Sequence, residues 1–350
     1  MVNIGIAGLG FMGMTHYRGI QKVRGAKVTA ICTRDPGKQQ GDWRGIGGNF
    51  GAPGNREDLS KVRVYGNYDD LLTDPRVDLV DICLPSALHC EAAIAAMQAG
   101  KHVLVEKPIA LNLRDADRMV RVSEKTGQLL MVAHVLPFFP EFAYLRRAVQ
   151  SGEYGALLGA HFKRVISQPN WSDEFSNMAR SGGPGVDLHI HDTHYILLLC
   201  GVPSRVMAAG RLVQERYAEY LATTYRFDNR PDLCVTCASG AISQQGRAFA
   251  HGFEAYLEKA TVVYEFSTLG GKPMLSMPLT LMADDGKVRK PRLGLGDPVA
   301  AFTQEIQAAV NGVAAGREAP ELSGRQAADA LRLCFKEVES VRRGRTVKVK

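Results

Sequence analysis

Short apolar runs bounded by turn residues recur through the first third of the chain, and most are followed by a stretch of helical period. Val2 to Ala7 reads as a strand, followed by Gly8-Leu9-Gly10-Phe11-Met12-Gly13 and a helix to about Arg24. Lys27 to Cys32, Val77 to Leu84, His102 to Val105 and Leu129 to Ala133 read as further strands. Helices are expected over His89 to Gln98, which stops at the C-cap signal Gly100, and over Asp115 to Thr126. This alternation predicts right-handed βαβ units and a parallel sheet. Beyond about residue 135 the rhythm changes. A helical stretch, Glu141 to Gln150, precedes strand-like runs at Leu157 to Ile166, Arg205 to Val213, Ala218 to Phe227, Leu233 to Ala238, Arg247 to Gly252 and Ala260 to Phe266. Turn clusters such as Asp228-Asn229-Arg230-Pro231 separate them, which predicts a mostly antiparallel sheet. Helices over Pro298 to Gly312 and Gly324 to Arg342 close the chain. The expected organisation is an α/β domain over 1–134 and an α+β domain over 135–350, with the final helix free to pack back on the first domain.

One stretch breaks the first rhythm. Lys38 to Asn55 is rich in glycine and poor in apolar residues, and reads as a long surface loop, either mobile or lying over one end of a bound ligand. Composition adds little more. The 350 residues suffice for two cores, and 45% are hydrophobic. The net charge of +7 is scattered, and its densest run, Arg342-Arg343-Gly344-Arg345, reads as a solvated tail rather than a phosphate site. Without aromatic interleaving, nucleic acid is not an expected partner. No apolar run approaches the ~20 residues that span a bilayer, and no signal peptide is visible, so a reducing cytoplasmic location is expected. Seven cysteines are dispersed. Cys234 and Cys237 have C-x-x-C spacing but lie in a strand-like run, where residues three apart face opposite sides.

The chemistry is concentrated in five segments. Gly8-x-Gly10-x-x-Gly13 between a strand and a helix gives a tight turn, a close backbone approach to a pyrophosphate and close helix packing. Phe11 and Met12 belong to the same turn. At the end of the second strand, Thr33 and Arg34 stand where an acid would bind the ribose of NAD; a hydroxyl and a guanidinium suit a 2′-phosphate, so the cofactor leans to NADP. Asp35 stands two residues later and serves NAD if the turn differs. Leu84-Pro85-Ser86, with His89, ends the next strand and would border the nicotinamide ribose. Glu106-Lys107-Pro108 places a lysine at another strand tip, where an ammonium can polarise a carbonyl or hold an alcohol, and Pro108 keeps Lys107 extended. Finally, Asp187 and His191 lie one helical turn apart after the glycine-rich Gly182 to Gly185, with His194 on the same stripe and His189 on another face. A carboxylate and an imidazole so spaced can bind a polyol and accept its proton. The order His189-Ile190-His191-Asp192-Thr193-His194 differs from the metallo-hydrolase pattern H-x-H-x-D-H, and no metal is expected.

Taken together, the glycine turn, Gly100 to Pro108 and Gly182 to Asp192 resemble the Gfo/Idh/MocA family of NAD(P)-dependent oxidoreductases over nearly the full length. The resemblance implies a Rossmann domain followed by a domain with a large, open-faced sheet, often the interface of a homodimer or homotetramer. It also implies that Lys107, Asp187 and His191 are catalytic, on a secondary hydroxyl of a sugar or cyclitol. Glu106 and Lys107 would border the cofactor. His189 and Pro137 depart from the family's frequent glycine and arginine, and both would border the substrate pocket. Trp171 would stack on a sugar ring or serve packing. Two other readings stay open: an enzyme with tightly held NAD(P) that uses transient oxidation for glycoside cleavage or epimerisation, and a dinucleotide sensor without catalysis.

Overall fold

The apolar run Val2–Ala7 forms β1, an inner strand of a six-stranded sheet. The computed structural model describes residues 1–48, 50–168, 177–293 and 299–349. In chain order, β1 is followed by α1 (Phe11–Ile20), β2 (Ala26–Cys32), α2 (Pro36–Gln39), β3 (Arg63–Tyr65), α3 (Tyr68–Thr73), β4 (Leu79–Ile82), α4 (His89–Gln98), β5 (His102–Glu106), α5 (Leu113–Thr126) and β6 (Leu130–Ala133). Every pairing is parallel and the order is β3-β2-β1-β4-β5-β6. The order reverses between β1 and β4, and a ligand crevice is expected outside the strand ends there. The strands carry near-continuous apolar side chains because helices cover both faces. β4 shows no alternation of buried and exposed positions: all four of its residues are buried, Asp81 among them.

The second part runs α6 (Pro140–Ser151), β7 (Leu157–Ser167), α7 (Met178–Ser181), α8 (Pro184–Asp187), α9 (Ile190–Cys200), β8 (Arg205–Val213), β9 (Tyr217–Arg226), β10 (Cys234–Ser243), β11 (Phe249–Leu257), β12 (Ala260–Leu269), β13 (Lys272–Ala283) and β14 (Val288–Arg289). Then come α10 (Ala300–Ala315), α11 (Gly324–Arg343) and β15 (Val347–Lys348). The nine-stranded sheet has the order β14-β13-β12-β11-β7-β10-β9-β8-β15, antiparallel except for β10 against β7. In β10, Cys234 is exposed and Cys237 buried, as strand alternation requires. The chain divides into two compact units, Met1–Phe138 with Gly296–Ala328, and Phe139–Leu295 with Asp329–Lys350. Helix α10 thus belongs with the parallel sheet: Ile306, Ala309 and Val310 join the core of Ile4, Ile6, Met14 and Leu104.

The glycine-rich stretch is an irregular, mostly exposed surface loop, but it is anchored by buried side chains. Trp43 is fully buried, packs edge-on to Tyr17 at 4.8 Å, and donates its indole N–H to the Lys38 carbonyl. Ile46 is buried as well, and Arg18 of α1 donates to the carbonyls of Ala52 and Pro53. Trp43 and Ile46 point inward, and the glycines allow this anchoring: a Cβ on Gly54 would collide with the Trp43 carbonyl.

Candidate functional site

The turn after β1 is built by steric necessity. Gly8 has φ +94°, and a Cβ there would stand 2.6 Å from the Cys83 carbonyl oxygen, so the turns after β1 and β4 lie against each other. A Cβ on Gly13 would stand 2.1 Å from the Gly8 carbonyl oxygen, whereas Gly10 faces open space. Helix α1 begins after Gly10 with no side-chain cap and no acid in its first turn. Phe11 and Met12, half-buried, open that turn. Unopposed N–H groups and a positive helix end suit a pyrophosphate, so these residues fit a dinucleotide.

Neighbouring strand tips bring the other candidates of this unit to the same edge of the sheet. The Gly8 N–H donates to the Cys32 carbonyl at the end of β2. Thr33 follows, buried, and Arg34 is exposed. Asp35 caps α2, its Oδ1 accepting the N–H groups of Gly37 at 2.9 Å and Lys38 at 3.1 Å. His89 is buried, with ring nitrogens 2.9 Å from the carbonyl oxygens of Leu84 and Pro108. It staples the Leu84-Pro85-Ser86 turn to the Glu106-Lys107-Pro108 turn. Burial pushes its pKa down, against the pull of the two carbonyls. Glu106 is buried at the end of β5, and its Oε2 accepts the Lys107 N–H at 3.0 Å. Lys107 is half-buried and precedes a cis peptide bond to Pro108.

Sequence reading missed a buried charged cluster behind these turns. His16 of α1 is fully buried, with Nδ1 2.9 Å from Asp81 and Nε2 3.1 Å from Glu106. Burial alone would lower the His16 pKa, but the Asp81 carboxylate overrides it and holds the value well above the ordinary one. Cys83 Sγ lies 3.6 Å from His16, and burial beside Asp81 pushes its thiol up to about 12. Ligand atoms of His16, Asp81 and Cys83 fall within 4.8 Å of one another, which is metal-ligand chemistry; the imidazole–carboxylate spacing is that of a hydrogen bond. Asp81, an acid inside an apolar strand, was the available signal.

In the other unit, the expected single helix is broken. Helix α8 ends at Asp187, Leu188 and His189 intervene, and α9 starts at Ile190. Local and tertiary causes combine: Gly182 and Gly183 have positive φ, Pro184 starts α8, and a Cβ on Gly185 would stand 2.7 Å from Ala218 of β9. Asp187 and His191 are the half-buried polar residues of this segment. His194, expected on their stripe, is fully buried, and burial with the Arg146 charge lowers its pKa to about 3. His189, expected beside a substrate pocket, is also fully buried, with Nε2 2.7 Å from Glu337. Asp192, next to His191, is held by Arg164 through two contacts, Nε at 2.7 Å and Nη2 at 3.1 Å. Trp171 lies outside the described residues.

Comparison with known proteins agrees with this architecture. Residues 2–134 match the family model described as an oxidoreductase family with an NAD-binding Rossmann fold, and residues 142–263 match the GFO/IDH/MocA C-terminal domain. Among curated relatives, a myo-inositol 2-dehydrogenase of Thermotoga maritima is 30% identical over 55% of this chain and 52% of its own length. A 2,7-anhydro-N-acetylneuraminate hydratase of Escherichia coli is 29% identical over 60% of this chain and 53% of its own. The chain therefore spans about half the length of these relatives. A probable dehydrogenase from Thermotoga maritima has the same fold, with a TM-score of 0.78, 24% identity and 99% of each chain covered. Among the described residues no helix is long and apolar enough to cross a membrane. With one model on the parallel-sheet unit and its companion on the other, together covering well over half of the residues, the chain belongs to the Gfo/Idh/MocA oxidoreductase family.

Proposed function

We propose that this protein is an NAD(P)-dependent oxidoreductase that interconverts a secondary alcohol and a ketone on a sugar, cyclitol or sugar derivative. The observation that carries the reading is Lys107 at the carboxyl end of β5, in the sheet whose first turn is shaped for a pyrophosphate. The dinucleotide, when bound, supplies the hydride acceptor. Gly8, Gly10, Phe11, Met12 and Gly13 would hold its phosphates, with Leu84, Pro85, Ser86 and Glu106 bordering it and His89 fixing those turns. His191 takes the hydroxyl proton, Lys107 stabilises the developing oxyanion, and Asp187 orients the hydroxyls; Trp171 is a candidate for stacking on the ring. NADP is the preferred cofactor, because Asp35 spends Oδ1 on its helix cap and leaves Thr33 and Arg34 to meet a 2′-phosphate. The nine-stranded sheet exposes Leu158, Met207 and Leu275, and is the proposed surface of a homodimer or homotetramer.

A panel of sugars, cyclitols and sugar acids with NAD and NADP, followed by absorbance, tests the reading. Lys107→Ala and His191→Ala are each expected to lower kcat/KM by about 10²- to 10⁴-fold; unchanged activity in both sinks the assignment. A strong preference for NADH over NADPH overturns the cofactor proposal. The hydratase among the relatives favours a second reading, a retained cofactor and transient oxidation. Its signature is turnover without net change in NAD(P)H absorbance and cofactor that survives gel filtration.

A further inference from the structure

The proposed chemistry leaves the cluster around His16 without a task, yet that cluster touches the catalytic lysine's own main chain. On one side of the ring, Nδ1 lies 3.0 and 2.9 Å from the two Asp81 oxygens. On the other, Nε2 lies 3.1 Å from Glu106 Oε1. The second Glu106 oxygen accepts the Lys107 N–H. The Nδ1 contact is a hydrogen bond, whereas the Nε2–Glu106 contact is an ion-pair distance without hydrogen-bond alignment. A neutral imidazole would bring no charge to either buried carboxylate; an imidazolium answers both. Helix α10 adds Glu305, fully buried, with neither carboxyl oxygen hydrogen-bonded. Burial, with Glu106 and Asp81 adding to it against His16, pushes its pKa well up. The Cys83 thiol closes the remaining side.

We propose that Asp81, His16 and Glu106 form a positioning relay for Lys107: an imidazolium clamped between two carboxylates fixes the Glu106 side chain, and Glu106 holds the lysine's backbone. The relay ties α1, which opens at the pyrophosphate turn, to the tip of β5, so one buried cation aligns the cofactor turn and the lysine. The proposal rests on Lys107 being catalytic.

Two measurements on the full chain test it. Nitrogen-15 NMR of the imidazoles, with His16 assigned by its loss in H16Q, is expected to show both His16 nitrogens protonated at pH 8, and E106Q is expected to move that titration to lower pH. A neutral His16 at pH 7 overturns the relay. Kinetically, H16Q and E106Q are expected to lower kcat by about 10- to 100-fold. The amide oxygen introduced by E106Q can still accept the Lys107 N–H, so a purely packing role predicts wild-type kcat in that variant. If H16Q fails to fold because it strands two buried carboxylates, the neutral set D81N/H16Q/E106Q removes them and carries the same kinetic expectation. Lys107→Ala separates the two levels. If it is inactive while H16Q and E106Q behave as wild type, the relay fails and the catalytic reading stands. If it is fully active, the catalytic reading fails and takes the relay's purpose with it. One equivalent of zinc that survives gel filtration and disappears in H16Q replaces the relay with a metal site.

Discussion

Gly13 shows how much a single position can carry. A Cβ there would stand 2.1 Å from the Gly8 carbonyl oxygen, which no rotamer change relieves. Gly13→Ala is expected to push α1 away from β1, lowering the thermal midpoint by several degrees and weakening dinucleotide binding at least about tenfold; a midpoint and a dissociation constant like those of the wild type would refute this. Residues of this kind were legible in the sequence, because a glycine at fixed spacing after a strand has one steric purpose. Lys107 was legible for a related reason: a strand tip followed by proline leaves a cation little structural work. The partners of His16 were not. Asp81, Glu106 and Glu305 come from β4, β5 and α10, and no spacing rule links them. His189 read as a pocket residue because its fully buried partner, Glu337, lies far along the chain.

Elements followed their periodicity where one side of each was buried and escaped notice where it was not. The parallel strands, the helix His89–Gln98 and the strand Arg205–Val213 were readable from apolar patterning. β3 has three residues, none fully buried, and the first half of β13 is exposed throughout, so neither offered a pattern to read. The stretch after α2 is a surface loop as read, but its anchor, the buried Trp43, was not legible among so many glycines. Truncating it removes the ring that packs on Tyr17. Trp43→Ala is expected to cost about 3–5 kcal/mol, measured by denaturant unfolding, and a cost below ~1 kcal/mol would return the stretch to a loose surface loop. The break between α8 and α9 was hidden for a different reason. Helical spacing treats 187 to 194 as continuous, while the close approach of Gly185 to Ala218 of β9 sets where α8 must lie.

At the scale of the whole molecule, buried histidines set the response to pH. Burial, with a nearby Arg charge, lowers His194 to about 3 and His251 well below its ordinary value. A depressed imidazole binds its proton more readily in the unfolded chain. Its contribution is therefore complete above about pH 6.5 and is lost as pH falls toward 3, at ~1.4 kcal/mol per pKa unit. His16 and His189 run the other way: burial opposes their charge, but Asp81 and Glu337 raise both pKa values. Their contribution is complete below about pH 6.5 and fades as pH rises through the raised values. Unfolding midpoints are expected to fall on both sides of neutrality, with His194→Phe flattening the acid limb and H16Q the alkaline one; a midpoint that climbs steadily into acid contradicts this. The sequence by itself determined the two sheet types and the glycine turn after β1, because each is written in local spacing, turn chemistry or one-sided burial, and its resemblance to a family nominated the candidate catalytic trio. Tertiary structure alone decided which charges are buried against one another, that Trp43 anchors the glycine-rich stretch, and that α10 returns to the parallel-sheet core. Those outcomes depend on desolvation and pairing between segments far apart in the chain, and local pattern carries no record of them.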